Sequence, residues 1–148
     1  MRKKKMQLIS IIMPYYQKID SINRTIKSVV NQTYKKFELI IVYDDEALED
    51  YYKIKKFIRN NKKIKLIKNI KNIGAGKSRN IGIKACKNDL IASIDSDVVL
   101  DKYWLENILK VFKEKNAVYC CGNLKEKYLQ NIYNQWRAKN YRLNWGDF

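Results

Sequence analysis

Two aspartates separated by one residue, Asp95 and Asp97, directly follow the apolar run Leu90–Ile94. Carboxylate oxygens are the ligands that Mg²⁺ and Mn²⁺ prefer, and these ions often complete their coordination with diphosphate oxygens and water. The spacing therefore predicts a divalent-cation site if the chain turns at the end of this run. The alternative is a solvated turn in which Asp97 or Asp101 caps the next helix, because aspartates spaced in this way are common in proteins.

Polar and aromatic residues also follow two other apolar runs. Tyr16 comes soon after Leu8–Met13, and Asp44 and Asp45 come directly after Phe37–Tyr43. A carboxylate in such a place can accept hydrogen bonds from a nucleobase or a ribose, and a tyrosine can stack on a base. The alternatives are a turn-forming aspartate pair and a tyrosine engaged in packing.

Residue types that are absent restrict the chemistry further. The 148 residues include no histidine, which excludes Ser-His-Asp triads and histidine-ligated zinc. A general base must therefore be a carboxylate, a lysine or a tyrosine. Cys86, Cys120 and Cys121 form neither a Cys-x-x-Cys motif nor a disulfide framework. We interpret them as small core residues of a protein in a reducing compartment.

The chain is strongly basic, with 31 Lys and Arg against 15 Asp and Glu and a formal net charge of +16. Thirteen of the basic residues lie between Lys53 and Lys87, where no acidic residue interrupts them. Such a field attracts phosphates, nucleic acid or an anionic membrane surface. The alternative is that these side chains only cover solvated faces of the protein.

The elements that must position these residues alternate between strand-like and helix-like segments. Strands are predicted at Leu8–Met13 (ended by Pro14), Phe37–Tyr43, Ile64–Ile67, Leu90–Ile94 and Ala117–Cys121. Helical segments are predicted after caps at Asp20 or Ser21 and at Asp101, and within Glu46–Arg59, Gly74–Cys86 and Lys125–Leu143. The alternation predicts a single domain of α/β class, with an open, mostly parallel sheet and helices on both faces. Ligands bind such sheets at the carboxyl ends of the strands, where the polar clusters would meet.

The apolar runs also bear on where the chain acts. None approaches the roughly 18 residues that a membrane span needs. The basic start is followed by a run that stops at Pro14, which is too short for the apolar region of a secretory signal. We therefore expect a cytoplasmic protein.

The glycine-containing segment Gly74–Ser78 is similar to a phosphate-binding loop, but it lacks one required residue. The pattern G-x-x-x-x-G-K-[ST] needs a glycine at position 71, where this chain has Lys71. No G-x-G-x-x-G follows the first predicted strand either, so the dinucleotide-binding fingerprint is absent. Gly74 and Gly76 instead predict a tight turn into a helix that carries Arg79.

Five stretches of the chain together resemble the family 2 glycosyltransferases of the GT-A fold. They occur in the family's order and are Ser10–Gln17, Ile26–Thr33, Phe37–Asp44, Asn72–Gly82 and Ile94–Asp97. The resemblance implies transfer of a sugar, with inversion in many members, from a nucleoside-diphosphate sugar to a saccharide or lipid-linked acceptor. It also implies UDP as the nucleotide, Mn²⁺ or Mg²⁺ as the cofactor, polysaccharide synthesis as the setting, and no nucleic-acid partner.

The resemblance assigns the matching residues near strands one and two to the nucleotide. Pro14 and Tyr16 would line the base pocket, with Tyr16 stacked on the base. Asp44 would contact the base, and Arg79 would lie near the nucleotide.

The remaining matches concern the sugar and the metal. Asp95 would face the ribose or the sugar, and Asp97 would hold the cation that bridges the diphosphate. Such a cation neutralises the charge that builds up on the leaving nucleoside diphosphate. The basic face would then hold the protein near anionic lipids at the inner face of the cell membrane, where lipid-linked acceptors lie.

The chain departs from the family's pattern in two ways. Where the family usually reads V-D-D-G-S, residues 42–46 read V-Y-D-D-E, so Tyr43 replaces one aspartate and the turn lacks its glycine. Family domains also continue beyond this length, and the later part supplies the acceptor wall and the general base. We therefore expect a donor-binding part that lacks the acceptor part, and assign no base, since neither Glu126 nor the penultimate Asp147 is expected to serve.

Two other function classes stay open. One is a polyanion- or nucleic-acid-binding module built on Lys53–Lys87, although its aromatic residues are not interleaved with the basic ones. The other is an α/β nucleotidyltransferase, although no glycine-rich, arginine-bearing loop follows the first strand. Binding to polyanions that is insensitive to Asp97→Ala would favour the first, and turnover of a sugar phosphate with a nucleoside triphosphate would favour the second.

Overall fold

The computed structural model of the chain describes residues 7–115, 117–123, 125 and 129–140. They fall into two compact units, one ending at Tyr103 and the other beginning at Trp104. The elements are β1 (Ile9–Tyr15), α1 (Ile19–Val30), β2 (Phe37–Tyr43), α2 (Leu48–Ile58), β3 (Ile64–Lys68), α3 (Ala75–Ala85), β4 (Leu90–Ser93), α4 (Trp104–Glu114) and α5 (Ile132–Asn140).

The first unit is built on a four-stranded parallel sheet with the order β3-β2-β1-β4. β1 pairs with β2 from Ile9–Phe37 to Tyr15–Tyr43, so the carboxyl ends of the two central strands lie side by side. Every residue of β1 is buried, as are six of the seven residues of β2. Continuous burial of this kind is typical of parallel strands covered on both faces. The α/β class and the parallel sheet predicted from the sequence are confirmed.

The helices of this unit pack through their apolar stripes. Ile22, Ile26 and Val29 of α1 are buried, and so are Ile54 and Ile58 of α2. Helical spacing predicts these positions to face inward, and it predicts the same of Phe57 in α2, which is instead 41% exposed. The predicted caps at Asp20 and Ser21 are wrong. Helix α1 begins at Ile19, and the residue at its N-cap, Lys18, makes no side-chain capping bond.

Helix α3 contacts β1 and β2 closely because it presents a glycine to the sheet. A Cβ atom on Gly82 would lie 2.5 Å from the side chain of Ile12. Ser78, one turn earlier, is fully buried, whereas Ile83 is largely exposed. The small residues of α3, and not this isoleucine, are therefore the ones buried against the rest of the unit.

The prediction that β1 stops before Pro14 is wrong. β1 runs through Pro14 to Tyr15, whose carbonyl accepts a hydrogen bond from Asp44 N. Pro14 has no N–H to donate, and it is tolerated because β4 pairs with β1 only up to Ile12. No ladder bond is therefore lost at this position.

The second unit contains α4 and α5. Leu105 and Leu109 of α4 are buried, and a Cβ atom on Gly122 would lie 2.5 Å from Nε1 of Trp104. The predicted helix at Lys125–Leu143 corresponds to α5, and its ends fall partly on residues outside the described ranges. No helix among the described residues is long and apolar enough to cross a membrane.

The fifth strand predicted at Ala117–Cys121 does not form. Val118 and Tyr119 are 96% and 70% exposed, and a strand needs a partner to which its backbone can bond. The interpretation of the cysteines as core residues is also wrong, because Cys86 and Cys120 are only half-buried and Cys121 is exposed.

Candidate functional site

A cavity of about 360 Å³ opens in the first unit where the polar clusters follow β1, β2 and β4. It is lined by Pro14, Tyr15, Tyr16, Lys18, Asp44, Asn72, Gly74, Ala75, Asp95, Ser96 and Asp97. Five of the six residues singled out in the sequence therefore face one cavity. The exception is Arg79, which is not among the lining residues.

Asp44 is 2% exposed, and its carboxylate is used to hold a loop. Oδ1 accepts hydrogen bonds from Ile73 N at 2.9 Å and from Asn69 Nδ2 at 2.8 Å, and Oδ2 accepts one from Gly74 N at 2.8 Å. Three donors on one buried carboxylate make strong, charge-assisted bonds. The predicted contact with a base stays a prediction, and the scaffold role is one that sequence reasoning missed.

The same loop is held at further points. Asn69 Nδ2 also donates to Ser78 Oγ at 3.0 Å, and Asn72 Nδ2 donates to the carbonyl of Asp44 at 3.0 Å. Gly74 has φ +87°, a conformation that residues with a side chain rarely adopt. The end of β2, the loop after β3 and the start of α3 are thereby joined into one wall of the cavity.

Arg79 reaches the edge of the site through Asp95. Its Nη2 lies 2.6 Å from Oδ1 of Asp95, and its Nε donates to Ser93 Oγ at 3.2 Å. The side chain of Asp95 remains 62% exposed. The guanidinium of Arg79 is therefore held beside the cavity by one of the carboxylates that line it.

Asp97 pairs with Lys18, a residue that the sequence analysis did not single out. The Lys18 Nζ lies 3.2 Å from Oδ2 of Asp97, and the Asp97 side chain is 44% exposed. Between the aspartates, the carbonyl of the buried Ser96 accepts a hydrogen bond from Thr25 Oγ1 of α1 at 2.9 Å. The backbone is therefore fixed, whereas the two carboxylates lie at the surface. The position of Lys18, two residues after Tyr16, was the signal available in the sequence.

The exposed carboxylates suit a hard divalent cation. Asp95 and Asp97 both line the cavity, and each is paired only with a basic side chain that is itself partly exposed. Within the described ranges no three His, Cys, Asp or Glu side chains are grouped to hold a metal. A cation such as Mg²⁺ or Mn²⁺ placed here would have these two carboxylates as protein ligands and room for diphosphate oxygens and water as its others.

Two buried tyrosines are the last residues of β1 and β2, and the first of them, Tyr15, also lines the cavity. The rings of Tyr15 and Tyr43 stack with centroids 4.9 Å apart, and their hydroxyls donate to Asp50 and to the carbonyl of Ala47. Burial raises the pKa of Tyr43 to about 12, with the charges of Asp45 and Asp50 adding to the effect. Burial, followed by the hydrogen bond to Asp50, also raises the pKa of Tyr15. Both hydroxyls therefore stay neutral near pH 7, and neither is suited to act as a base.

No general base is identified in the cavity. Glu126 and Asp147, the acids that follow α4 in the sequence, lie outside the described residues. Asp44 is fully engaged by its donors, and Asp95 and Asp97 are paired with Arg79 and Lys18. The geometry therefore favours binding of an anionic ligand together with a cation, and it leaves deprotonation of an acceptor unassigned.

Comparison with known proteins identifies relatives of this architecture. The chain is 34% identical over 129 residues to an uncharacterized glycosyltransferase of Rickettsia bellii, covering 84% of this chain and 18% of the relative. It is 34% identical over 116 residues to the Escherichia coli UDP-Glc:alpha-D-GlcNAc-diphosphoundecaprenol beta-1,3-glucosyltransferase WfgD, covering 78% of this chain and 45% of WfgD. This chain thus spans less than half the length of either relative.

The fold is also similar to a solved structure. Staphylococcus aureus TarS 1-349 in complex with UDP superposes with a TM-score of 0.67 at 23% identity, covering 84% of this chain and 40% of that one. At that identity the likeness establishes the fold alone. The family model described as Glycosyl transferase family 2 matches residues 10–147, nearly the whole sequence. This match agrees with the five stretches of the sequence that resemble the family and with their order. We conclude that the chain belongs to glycosyltransferase family 2.

Proposed function

We propose that this chain binds a UDP-linked sugar in the cavity at the carboxyl ends of β1, β2 and β4, as the donor part of a glycosyltransferase. The observation that carries the proposal is the convergence of Pro14, Tyr16, Asp44, Asp95 and Asp97 on one cavity. A nucleoside diphosphate needs a surface for its base, a positive environment for its phosphates and a cation between them. The lining residues offer Tyr16 for the base, Lys18 for the phosphates, and the carboxylates of Asp95 and Asp97 for the cation.

The base side of the cavity is formed by Pro14 and Tyr16. Tyr16 is 48% exposed, so one face of its ring is available to stack on a uracil. The phosphate side is formed by the start of α3, whose first turn contains no acidic residue. The amides at a helix N-terminus carry a partial positive charge, and Lys18 and Arg79 add full charges nearby.

Asp97 and Asp95 are the residues that we assign to Mn²⁺ or Mg²⁺. When bound, the cation supplies charge neutralisation for the leaving diphosphate. Lys18 and Arg79 would exchange their carboxylate partners for phosphate oxygens when donor and cation bind. The chain's own contribution is to hold the donor so that the anomeric carbon faces the acceptor, with direct displacement and inversion as the expected course.

We further propose a lipid-linked saccharide as the acceptor, at the cytoplasmic face of a membrane. The support is the relative WfgD, whose name gives a diphosphoundecaprenol-linked sugar as its acceptor. The chain spans 45% of that relative. We therefore assign donor binding to this chain, and transfer to an enzyme of the relative's full length. The base that deprotonates the acceptor is left unassigned.

Calorimetric titration with UDP, with and without Mn²⁺, tests the donor site. Wild-type protein should bind UDP only when Mn²⁺ is present, and Asp97→Asn should weaken binding about tenfold or more, because a charged ligand is lost. The matched control is Asp89→Asn, which removes an exposed aspartate just before β4. It lies at the amino end of that strand, opposite the end that carries Asp97.

Two results would contradict the proposal. One is the same UDP affinity in the wild type, Asp97→Asn and Asp89→Asn, and the other is failure to bind UDP at any metal concentration. GDP and CMP titrated alongside distinguish a different nucleotide preference from a cavity that binds no nucleotide.

A further inference from the structure

Ile70 is the most exposed large apolar side chain in the first unit, at 96% exposure. It lies in the connection between β3 and α3, and Lys68 and Lys71 flank it in the sequence. Val118 of the second unit is equally exposed, but no lysine lies within two residues of it. We call residues 69–73 the Ile70 loop.

The Ile70 loop is held rigidly at the residues around its exposed tip. Before Ile70, the Asn69 side chain donates to Asp44 and Ser78. After it, Asn72 donates to the carbonyl of Asp44, and the amides of Ile73 and Gly74 donate to the Asp44 carboxylate. The backbone that carries this exposed side chain is therefore already ordered, which lowers the ordering cost when the loop meets a surface.

The two lysines that flank Ile70 carry positive charge, and the carboxylate that contacts the loop, that of Asp44, is buried. Lys68 Nζ donates to the carbonyl of Asn69, and Lys71 is exposed. Within the part of the chain that the structure describes, neither lysine forms an ion pair. No acidic residue occurs between Lys53 and Lys87, so no carboxylate near the loop in sequence offsets this charge.

The loop also lies beside the donor cavity. Asn72, two residues after Ile70, lines the cavity, as does Gly74 at the start of α3. A surface that received Ile70 would therefore lie next to the cavity mouth.

We propose that Ile70, with Lys68 and Lys71, is a membrane contact that inserts one apolar side chain into an anionic bilayer while the lysines bind its headgroups. Apolar burial and attraction of lysines to acidic lipids are the two contributions that together hold a peripheral protein on a membrane. A single side chain and two charges give weak and reversible binding. The proposal rests on the proposed function in one respect. The membrane contact would serve to bring the donor cavity to a lipid-linked acceptor.

The test is sedimentation of the 148-residue chain with vesicles of phosphatidylcholine alone, or of equal parts phosphatidylcholine and phosphatidylglycerol. We expect binding to the phosphatidylglycerol vesicles only, and weaker binding as salt is raised. Ile70→Ser should lower the partition coefficient about tenfold, and Lys71→Gln about fivefold. Both side chains are exposed, and circular dichroism checks that the variants fold.

Two matched controls separate the loop from general properties of the surface. Val118→Ser removes an equally exposed β-branched side chain, and Lys36→Gln removes an exposed lysine just before β2, at the amino end of that strand. Both should leave the partition coefficient unchanged. Equal losses in Ile70→Ser and Val118→Ser, or in Lys71→Gln and Lys36→Gln, would overturn the proposal.

Failure of this proposal is distinguishable from failure of the donor site. The vesicle measurement contains no nucleotide, and the UDP titration contains no lipid. Ile70→Ser should keep wild-type UDP affinity in solution. Binding of single-stranded DNA in place of vesicles, unchanged by Ile70→Ser, would overturn the membrane assignment and favour the polyanion-binding module.

Discussion

Asp44 and Asp97 are the same residue type, each lies just beyond the end of a parallel strand, and both line the same cavity, yet their surroundings are opposite. Asp44 is 2% exposed and accepts three hydrogen bonds from Asn69, Ile73 and Gly74. Asp97 is 44% exposed along its side chain and touches one lysine that is itself half-exposed. The first carboxylate is part of the scaffold, and the second is available to a ligand. In this cavity the number of donors around a carboxylate, rather than its place at the strand end, separates the two roles.

The largest expected effect comes from removing the scaffold carboxylate. Asp44→Ala removes the buried acceptor of three hydrogen bonds, and we expect the free energy of unfolding to fall by about 3 kcal/mol. Asp97→Ala removes an exposed ion pair and should cost less than about 1 kcal/mol. Urea denaturation of both variants measures the difference. Similar losses in the two variants would show that the scaffold and ligand roles are not separated in this way.

A smaller effect is expected where the same loop meets α3. Gly74→Ala places a side chain at φ +87°, and although no atom lies within 4 Å of its Cβ, the backbone strain should cost about 1–3 kcal/mol. Gly76→Ala, two residues later inside the helix and equally uncrowded, should instead stabilise the protein by about 0.5–1 kcal/mol. Opposite signs in thermal or urea unfolding are the expected result. A loss in both variants would contradict the assignment of the difference to the backbone angle at Gly74.

The elements were predictable from the sequence where the determining signal is local. The strand at Phe37–Tyr43 was predicted to the residue, because a mostly apolar run bounded by polar residues can be recognised without knowing its neighbours. Convergence of Asp44 with Asp95 and Asp97 followed from the parallel topology alone, since parallel strands share one carboxyl edge.

The predictions that failed depend on residues distant in sequence. Whether Pro14 can stay inside a strand depends on where β4 ends, and whether Ala117–Cys121 forms a strand depends on a partner being present. The sequence could not distinguish the roles of Asp44 and Asp97 either, because Asn69 and Lys18 determine their surroundings from elsewhere in the chain. Only the three-dimensional arrangement brings these pairs together.

The smallest expected effect tests the ligand role of Asp97 through its pairing with Lys18. If Asp97 is kept available for a cation, Lys18 competes with that cation for the same carboxylate. Lys18→Gln should therefore raise the affinity for Mn²⁺ without nucleotide about threefold, which corresponds to the strength of an exposed ion pair. Titration of Mn²⁺ followed by electron paramagnetic resonance measures this affinity directly, and Lys36→Gln controls for the lost positive charge.

The UDP titration gives the second half of this argument. Lys18→Gln should bind UDP with Mn²⁺ more weakly than the wild type, because the lysine released from Asp97 would no longer be present to contact a phosphate. Opposite changes in Mn²⁺ affinity and UDP affinity require Lys18 to exchange partners, since a residue that only stabilised the fold would change both in the same direction. If Lys18→Gln altered neither affinity, the pair with Asp97 would be a surface contact only, and the positive charge near the phosphates would come from Arg79 and the start of α3.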